Sequence, residues 1–295
     1  TLKMKPAPFE YHAPNSIEEV VTLKSQYGDD AKFLAGGQSL VPAMNFRIVQ
    51  PSVLIDLNRA RELSYIREEG KVIRVGSMAR ERHLEFDASI KKYAPLLHEA
   101  VPSIAHPQIR NRGTIGGSIV NADPAAELPV LMIALNARLK AKNKSAARWL
   151  DAKDFFAGMF TTALEPDEVL VEIELPFAAP RTGWSFMEVA PRSGDYALMG
   201  VATSVTLDEN GKCKSAKLVY LNAGDGPVDA VEAAQSLMGE ILNDTLIESA
   251  ASHASEKEIN PFGNMHASVD FQRHLAKTLT MKTLKIAAER ATQEN

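Results

Sequence analysis

The chain has 295 residues, room for two or three domains at roughly 100–200 residues each. Hydrophobic residues make up 45% and charged residues 24%, an ordinary globular balance that excludes wholesale disorder. A net charge of -4 gives no reason to expect a nucleic-acid footprint, and no apolar run approaches the roughly 20 residues of a membrane span.

Thr1-Leu2-Lys3-Met4-Lys5-Pro6 has no apolar core of the kind a secretory signal needs, and the expected setting is the cytoplasm. Ser16 with Glu19 reads as a capping box that opens an amphipathic helix to about Tyr27. Ala31 to Ala35 is a short strand running into Gly36-Gly37, followed by a helical stretch at Val41 to Asn45 and a buried strand at Val53 to Leu57. Glu69-Gly70 joins Leu63–Arg67 and Lys71–Val75 as a hairpin. Helices are expected at Ala79–Phe86 and Ile90–Ala100, then a loop bracketed by Pro102 and Pro107. Asp123 caps, and Pro124 opens, a helix to Leu135. Strands follow at Ala137–Lys142 and Val169–Leu175, and Pro176, Pro180 and Gly183 mark a boundary. Beyond it lie strands at Trp184–Val189, Gly200–Leu207 and Ala216–Leu221, with a turn at Asp208-Glu209-Asn210-Gly211. Helices at Val228–Met238, Asp244–Ser255 and Ser268–Thr292 close the chain. Strands first and helices afterwards suggest a separate α+β unit after about residue 177.

Two glycine pairs carry the chemistry. Ala35-Gly36-Gly37-Gln38-Ser39-Leu40 ends a strand, and Arg110-Asn111-Arg112-Gly113-Thr114-Ile115-Gly116-Gly117-Ser118 is a loop after Pro107. Adjacent glycines permit positive φ and leave N–H groups open, and successive open N–H groups suit a phosphate or pyrophosphate. Hydroxyls at Ser39, Thr114 and Ser118 add donors. Neither loop fits a Rossmann or P-loop fingerprint, so from the residues alone tight turns and a diphosphate cradle both stay open. Arg110 and Arg112 are either solvated loop charges or electrostatic aids to such a cradle. His106 is read as a structural loop residue, Cys213 as inert, and Trp149 and Trp184 as packing or interface residues. The seven histidines show no ligand spacing, so no metal is expected, and no nucleophile–base pair or carboxylate pair stands out.

The run A-G-G-Q-S-L, then R-N-R-G-T-I-G-G-S and N-A-D-P-A-A-E-L-P, resembles the FAD-binding medium subunit of the molybdenum hydroxylases, the carbon monoxide dehydrogenase, xanthine dehydrogenase and N-heterocycle hydroxylase family. Phe9-Glu10-Tyr11, Val53 to Asn58 and Arg192-Ser193-Gly194-Asp195-Tyr196-Ala197 extend the likeness over almost the whole chain. Gln38 stands where many members have His, and Pro191 where many have Arg. The resemblance implies an α+β fold: a two-part FAD-binding domain of the vanillyl-alcohol-oxidase type (residues 1–57 and 58–177) and a smaller C-terminal domain (178–295) with an antiparallel sheet and helices.

It also implies a site. Ala35, Gly36, Gly37, Gln38, Ser39 and Leu40 would clasp the FAD pyrophosphate together with Thr114, Ile115, Gly116, Gly117 and Ser118. Asn121 would also bind the cofactor, Asp123 would help hold the adenosine end, and the isoalloxazine would lie toward the C-terminal domain near Leu164 and Tyr196. The family's molybdenum cofactor and two 2Fe–2S clusters sit in a large and a small partner subunit, implying a dimer of heterotrimers, and the lone cysteine agrees with clusters held elsewhere. Substrate choice would rest with the molybdenum subunit. Two other readings stay open: a self-contained FAD oxidase or dehydrogenase, and a non-catalytic assembly module.

Overall fold

The computed structural model describes residues 5–293. Thr1–Met4, part of the N-terminal stretch read above for a signal, lie outside the described residues, as do Glu294 and Asn295. The chain opens with strand β1 (Glu10–His12) and helix α1 (Ile17–Tyr27). Ser16 Oγ accepts from Glu19 N as expected, while the Glu19 carboxylate takes Asn15 N rather than the N-cap amide. Strand β2 (Ala31–Leu34), helix α2 (Leu40–Asn45) and strand β3 (Val53–Asp56) follow, and the strands form a small parallel sheet in the order β1-β3-β2. Ile17, Val20 and Val21 of α1 are buried against Val53 and Ile55 of β3.

Strands β4 (Ile66–Glu69) and β5 (Val72–Gly76) form the expected hairpin about Gly70, whose φ is +64°. Helices α3 (Glu81–Phe86), α4 (Ala88–Tyr93) and α5 (Pro95–Ala100) come next. The sequence reading joined α4 and α5; they separate at Ala94, because Pro95 has no N–H to donate and starts a fresh helix as its first residue. Helix α3 also starts later than Ala79, because Arg80 is drawn into a bridge with Thr114 and the Ala79 carbonyl accepts from Ile115 N. After the short helix α6 (Pro107–Arg110), the stretch read as a glycine loop winds into helix α7 (Ile115–Asn121). Helix α8 (Glu127–Ala134) begins three residues beyond the expected start, since Asp123 caps a turn through Ala125 N instead. Its residues Leu128–Ala134 are all buried, as befits a helix apolar on every side.

Strands β6 (Arg138–Lys142) and β7 (Ala147–Asp151), the small hairpin β8 (Phe156–Gly158) with β9 (Thr161–Thr162), and strand β10 (Val169–Pro176) complete this part. The second sheet runs β4-β5-β10-β6-β7. β7 to β9 escaped the sequence reading because Ala-Arg-Trp-Leu-Asp and Phe-Ala-Gly show no alternation. The last sheet is antiparallel, in the order β11 (Thr182–Val189), β12 (Met199–Leu207), β13 (Cys213–Leu221), β14 (Val228–Asp229). Asp208 Oδ1 organises the β12–β13 turn by accepting from Asn210 and Lys212 N, and Gly211 has φ +78°. Val228, expected in a helix, is in β14, and α9 covers only Val231–Gln235. Helix α10 (Asp244–His253) and the long α11 (Val269–Thr292) follow, with α11 laid along β11 and β12. The central core is shared, since Phe186, Ala202, Val219 and Leu221 of the last sheet pack with α5, α7 and α8.

Candidate functional site

The parallel pairing of β2 with β3 carries the chain to Ala35, where Gly37 turns it with φ +75°, a region that disfavours any side chain. Among the described residues, the N–H groups of Gly37, Gln38 and Ser39 have no acceptor in the chain, and the Gln38 amide bends back to the Gly36 carbonyl (3.1 Å). Three successive open amides are the donor array an anion fits. A Cβ on Gly36 would collide with the Arg112 carbonyl and lie 2.8 Å from Gly113 Cα, so the two glycine segments touch main chain to main chain. A Cβ on Gly117 would stand 2.7 Å from Thr114 Oγ1 and 3.4 Å from Ala35 Cβ.

The second segment corrects the sequence reading. It is the capped start of α7 and not an open loop. Ile115 N donates to Ala79 O, Gly116 N to Ser77 O (2.9 Å), Gly117 N to Thr114 Oγ1 (3.1 Å) and Ser118 N to Thr114 O. These amides are occupied, and neither Gly116 nor Gly117 has positive φ. Gly116 is required because Ser77 lies directly against it, and Gly117 because a side chain would displace the Thr114 cap. What this segment presents is small volume and hydroxyls. Ile115 is fully buried.

Helix α7 ends at Ala122 in the left-handed conformation (φ +49°), and the chain then turns through Asp123. Phe160 N of the β8–β9 hairpin donates to Ala122 O, and Asn222 N donates to Pro124 O at 2.7 Å. The Asn222 side chain also donates to Ala197 O and Leu198 O at 2.8 and 3.2 Å. One asparagine thereby brings Asp123 and Tyr196 together from residues 73 positions apart in the sequence. Tyr196 is 68% exposed as a residue. Its hydroxyl is pushed above the ordinary range by partial burial and by the Asp123 and Glu127 charges. Gly194 (φ +86°) stays free of a side chain because the His106 imidazole lies against it. Leu164 packs on the central core, and Asn121 and Ser118 are half-buried.

Sequence reasoning missed three carboxyls. Glu81 is buried and held up to about 8, first by burial and then by Glu127, with Arg110 and Arg80 opposing. Burial raises Glu127 to about 7, aided by Asp123, and Glu188 to about 8, aided by Glu127. Glu81 Oε2 and Glu188 Oε2 have no partner. Nothing in the local pattern marks them, since burial comes from Gly113, α8 and β11 packing in from elsewhere.

Arg110 is structural. It is buried, bonded to Glu85 (3.0 Å) and to the Ile104 and Ala105 carbonyls. The Cys213 thiol is pushed up to about 11 by burial. Trp149 lies under Arg74, Arg138 and Lys140, and Trp184 under Arg290. Among the described residues no group of three or more His, Cys, Asp or Glu could hold a metal ion, and no helix is long and apolar enough to cross a membrane.

Two family models match the chain: the FAD binding domain in molybdopterin dehydrogenase over residues 7–178, and the CO dehydrogenase flavoprotein C-terminal domain over residues 184–287. The 6-hydroxypseudooxynicotine dehydrogenase complex subunit alpha of Paenarthrobacter nicotinovorans is 40% identical over 288 residues, covering 98% of this chain and 97% of that one. The solved carbon monoxide dehydrogenase of Hydrogenophaga pseudoflava lacking the Mo-pyranopterin moiety superposes with a TM-score of 0.94 at 37% identity, covering 97% of this chain and 99% of that chain. Quinoline 2-oxidoreductase from Pseudomonas putida 86 gives 0.93 at 35% identity, with coverage of 98% and 100%.

Proposed function

The chain belongs to the family of FAD-binding medium subunits of molybdenum hydroxylases, and from that premise we propose that it receives electrons from iron–sulfur clusters of a partner subunit and delivers them to an external acceptor. The observation that carries the site is the row of unpaired amides at Gly37, Gln38 and Ser39, held against the start of α7 by the main-chain contact of Gly36 with the Arg112 carbonyl and the packing of Gly117 beside Ala35. Three successive open amides fit the oxygens of a diphosphate.

In this reading the Gly37–Ser39 amides and the hydroxyls of Ser39, Thr114 and Ser118 bind the pyrophosphate oxygens. Ala35, Leu40 and Gly117 line it, Ile115 and Gly116 are buried behind it, Gly36 packs on the Arg112 carbonyl, and Gln38 holds the turn through Gly36 O. Asn121 and Asp123 take the adenosine end, and Asp123 has one carboxylate oxygen free of the turn it caps. Leu164 and Tyr196 flank the flavin. FAD supplies the capacity to take up two electrons and pass them on, and the chain supplies position and a local field.

A molybdenum-bearing large subunit and a small subunit with two 2Fe–2S clusters complete the complex as a dimer of heterotrimers. The relatives' names, a complex subunit and medium chains, support the presence of partner subunits. A cytoplasmic setting agrees with a single, buried thiol. The division into 1–57, 58–177 and 178–295 is supported by sheets that each fall within one segment.

The test is the visible spectrum of the purified protein followed by acid precipitation. Flavin bands, with the yellow colour released to the supernatant, are expected; colour retained in the pellet would show a covalent link and overturn non-covalent binding. Gly117→Val should abolish flavin binding while the last sheet stays folded, and full occupancy in that variant would remove the assignment.

A further inference from the structure

Between the two glycine segments stands one side chain the family likeness did not single out. Arg80 precedes α3, with its main chain bridged to Thr114. Its guanidinium is a fork. Nη1 donates to the Arg112 carbonyl, the same oxygen that Gly36 abuts, and Nη2 donates to Asn58 Oδ1 at 2.6 Å. Asn58 in turn donates through Nδ2 to the Ala35 carbonyl at 3.0 Å. Asp56 fixes the orientation of Asn58: its Oδ1 accepts from Asn58 N (2.9 Å) and from Nδ2 (2.5 Å). Tyr11 OH holds the other oxygen of Asp56 at 2.5 Å.

The chain of bonds therefore runs from the root of the first turn, through Asn58 and Arg80, to the root of the second. Asn58 uses its carbonyl toward Arg80 and its NH₂ toward Ala35, so reversing the amide would break both links. The two donors of a planar guanidinium are fixed relative to each other, so the fork holds its two acceptors at a set separation. Half-burial and the charge of Arg112 lower the Arg80 affinity for its proton, and Asp56 and Glu81 counter them.

We propose that Arg80 and Asn58 act as one positioning relay, which sets the gap between the two glycine segments and thereby how tightly the chain retains a pyrophosphate-containing ligand. Neither side chain needs to touch that ligand. The inference rests on the FAD reading above and assigns a determinant of affinity outside the cradle. Because the relay is a series, losing either member releases the same restraint.

The experiment is a double-mutant cycle on flavin-depleted protein: wild type, Arg80→Ala, Asn58→Ala and the double variant, titrated with FAD by quenching of flavin fluorescence and with ADP by calorimetry. Each single variant should weaken FAD and ADP binding by roughly tenfold or more, the scale of a lost charge-assisted hydrogen bond. The double variant should be no weaker than either single one, since coupled groups are non-additive. Arg80→Lys retains the charge but not the fork, and should recover only part of the affinity. Thermal unfolding of the flavin-depleted variants provides the second readout, and the affinity losses should exceed what any melting shift accounts for. Additive losses, or Arg80→Ala and Arg80→Lys binding FAD and ADP like wild type while Gly117→Val does not bind, would overturn the relay and leave the cradle standing. Wild type that takes up neither FAD nor ADP would overturn the cradle itself, and the relay with it.

Discussion

Glu81 holds its proton to about pH 8 because it is buried against Gly113, with its Oε2 unpartnered and the Glu127 carboxyl nearby. In the unfolded chain the same carboxyl ionises near 4.5. The folded state therefore binds a proton that the unfolded state releases, and stability falls as pH climbs from about 4.5 to about 8, levelling beyond that. Glu127, raised to about 7, adds loss in the same direction. Glu81→Gln should melt higher than wild type at pH 9 and nearly alike at pH 4.5, in flavin-depleted protein; an unchanged alkaline slope would mean the carboxyl is already ionised in the fold. Gly37 makes the companion point about main chain. A valine there would be strained at φ +75° and would press Leu34 and Val41 at 3.1 Å. Gly37→Val is expected to lose flavin binding by closing the turn that opens three amides, as read by the flavin absorbance of the purified variant.

Among the elements, α11 is the one whose placement depends most on distant residues. Ser268 caps it through Phe271 N, and its buried face meets β11 and β12. Thr283 bonds Thr203, and Thr280 bonds the buried Tyr220, so the helix is pinned by paired hydroxyls within an otherwise apolar contact. Gly183 permits this approach, because a Cβ there would strike the Ala287 carbonyl and lie 2.5 Å from Ala291 N. Gly183→Ala should lower the unfolding free energy by about 1–3 kcal/mol, the range for an overpacked contact, measured by urea denaturation. An unchanged midpoint would show that α11 can slide at no cost. Near its end Arg290 reaches Glu99 of α5 at 2.5 Å and Trp184 O at 2.7 Å, joining the last domain to the rest.

For the whole molecule, the proposed role leaves the metal chemistry to partner subunits and gives this chain the flavin. Alone it should hydroxylate no substrate, while still passing electrons from a strong reductant to an artificial acceptor when loaded with flavin. In the assembled complex, stripping the flavin should stop delivery to the external acceptor and leave the substrate-driven bleaching of the iron–sulfur bands intact. Anaerobic stopped-flow absorbance reads both. Iron–sulfur bands that fail to bleach, with both metal centres shown to be intact, would put the order of transfer in error.

The sequence by itself determined most elements and the family. Local signals are strong where one segment satisfies its own needs: the Ser16 cap, the Gly70 hairpin, the Asp208 turn and the apolar strands Val53–Asp56 and Val169–Pro176. The motif residues could be named because they are contiguous. Tertiary structure decided what those residues do with their hydrogen bonds. Gly116 and Gly117 read as open amides, yet Ser77 and Thr114 occupy them, and Pro124 reads as a helix start, yet Asn222 takes its carbonyl into a turn. Glu81, Glu127 and Glu188 carry no sign of burial in their own segments, since it arises when α3, α8 and β11 pack together. A hydrogen bond or a desolvated carboxyl depends on both partners and on what shuts out water, and for these residues the deciding partner lies in another part of the chain.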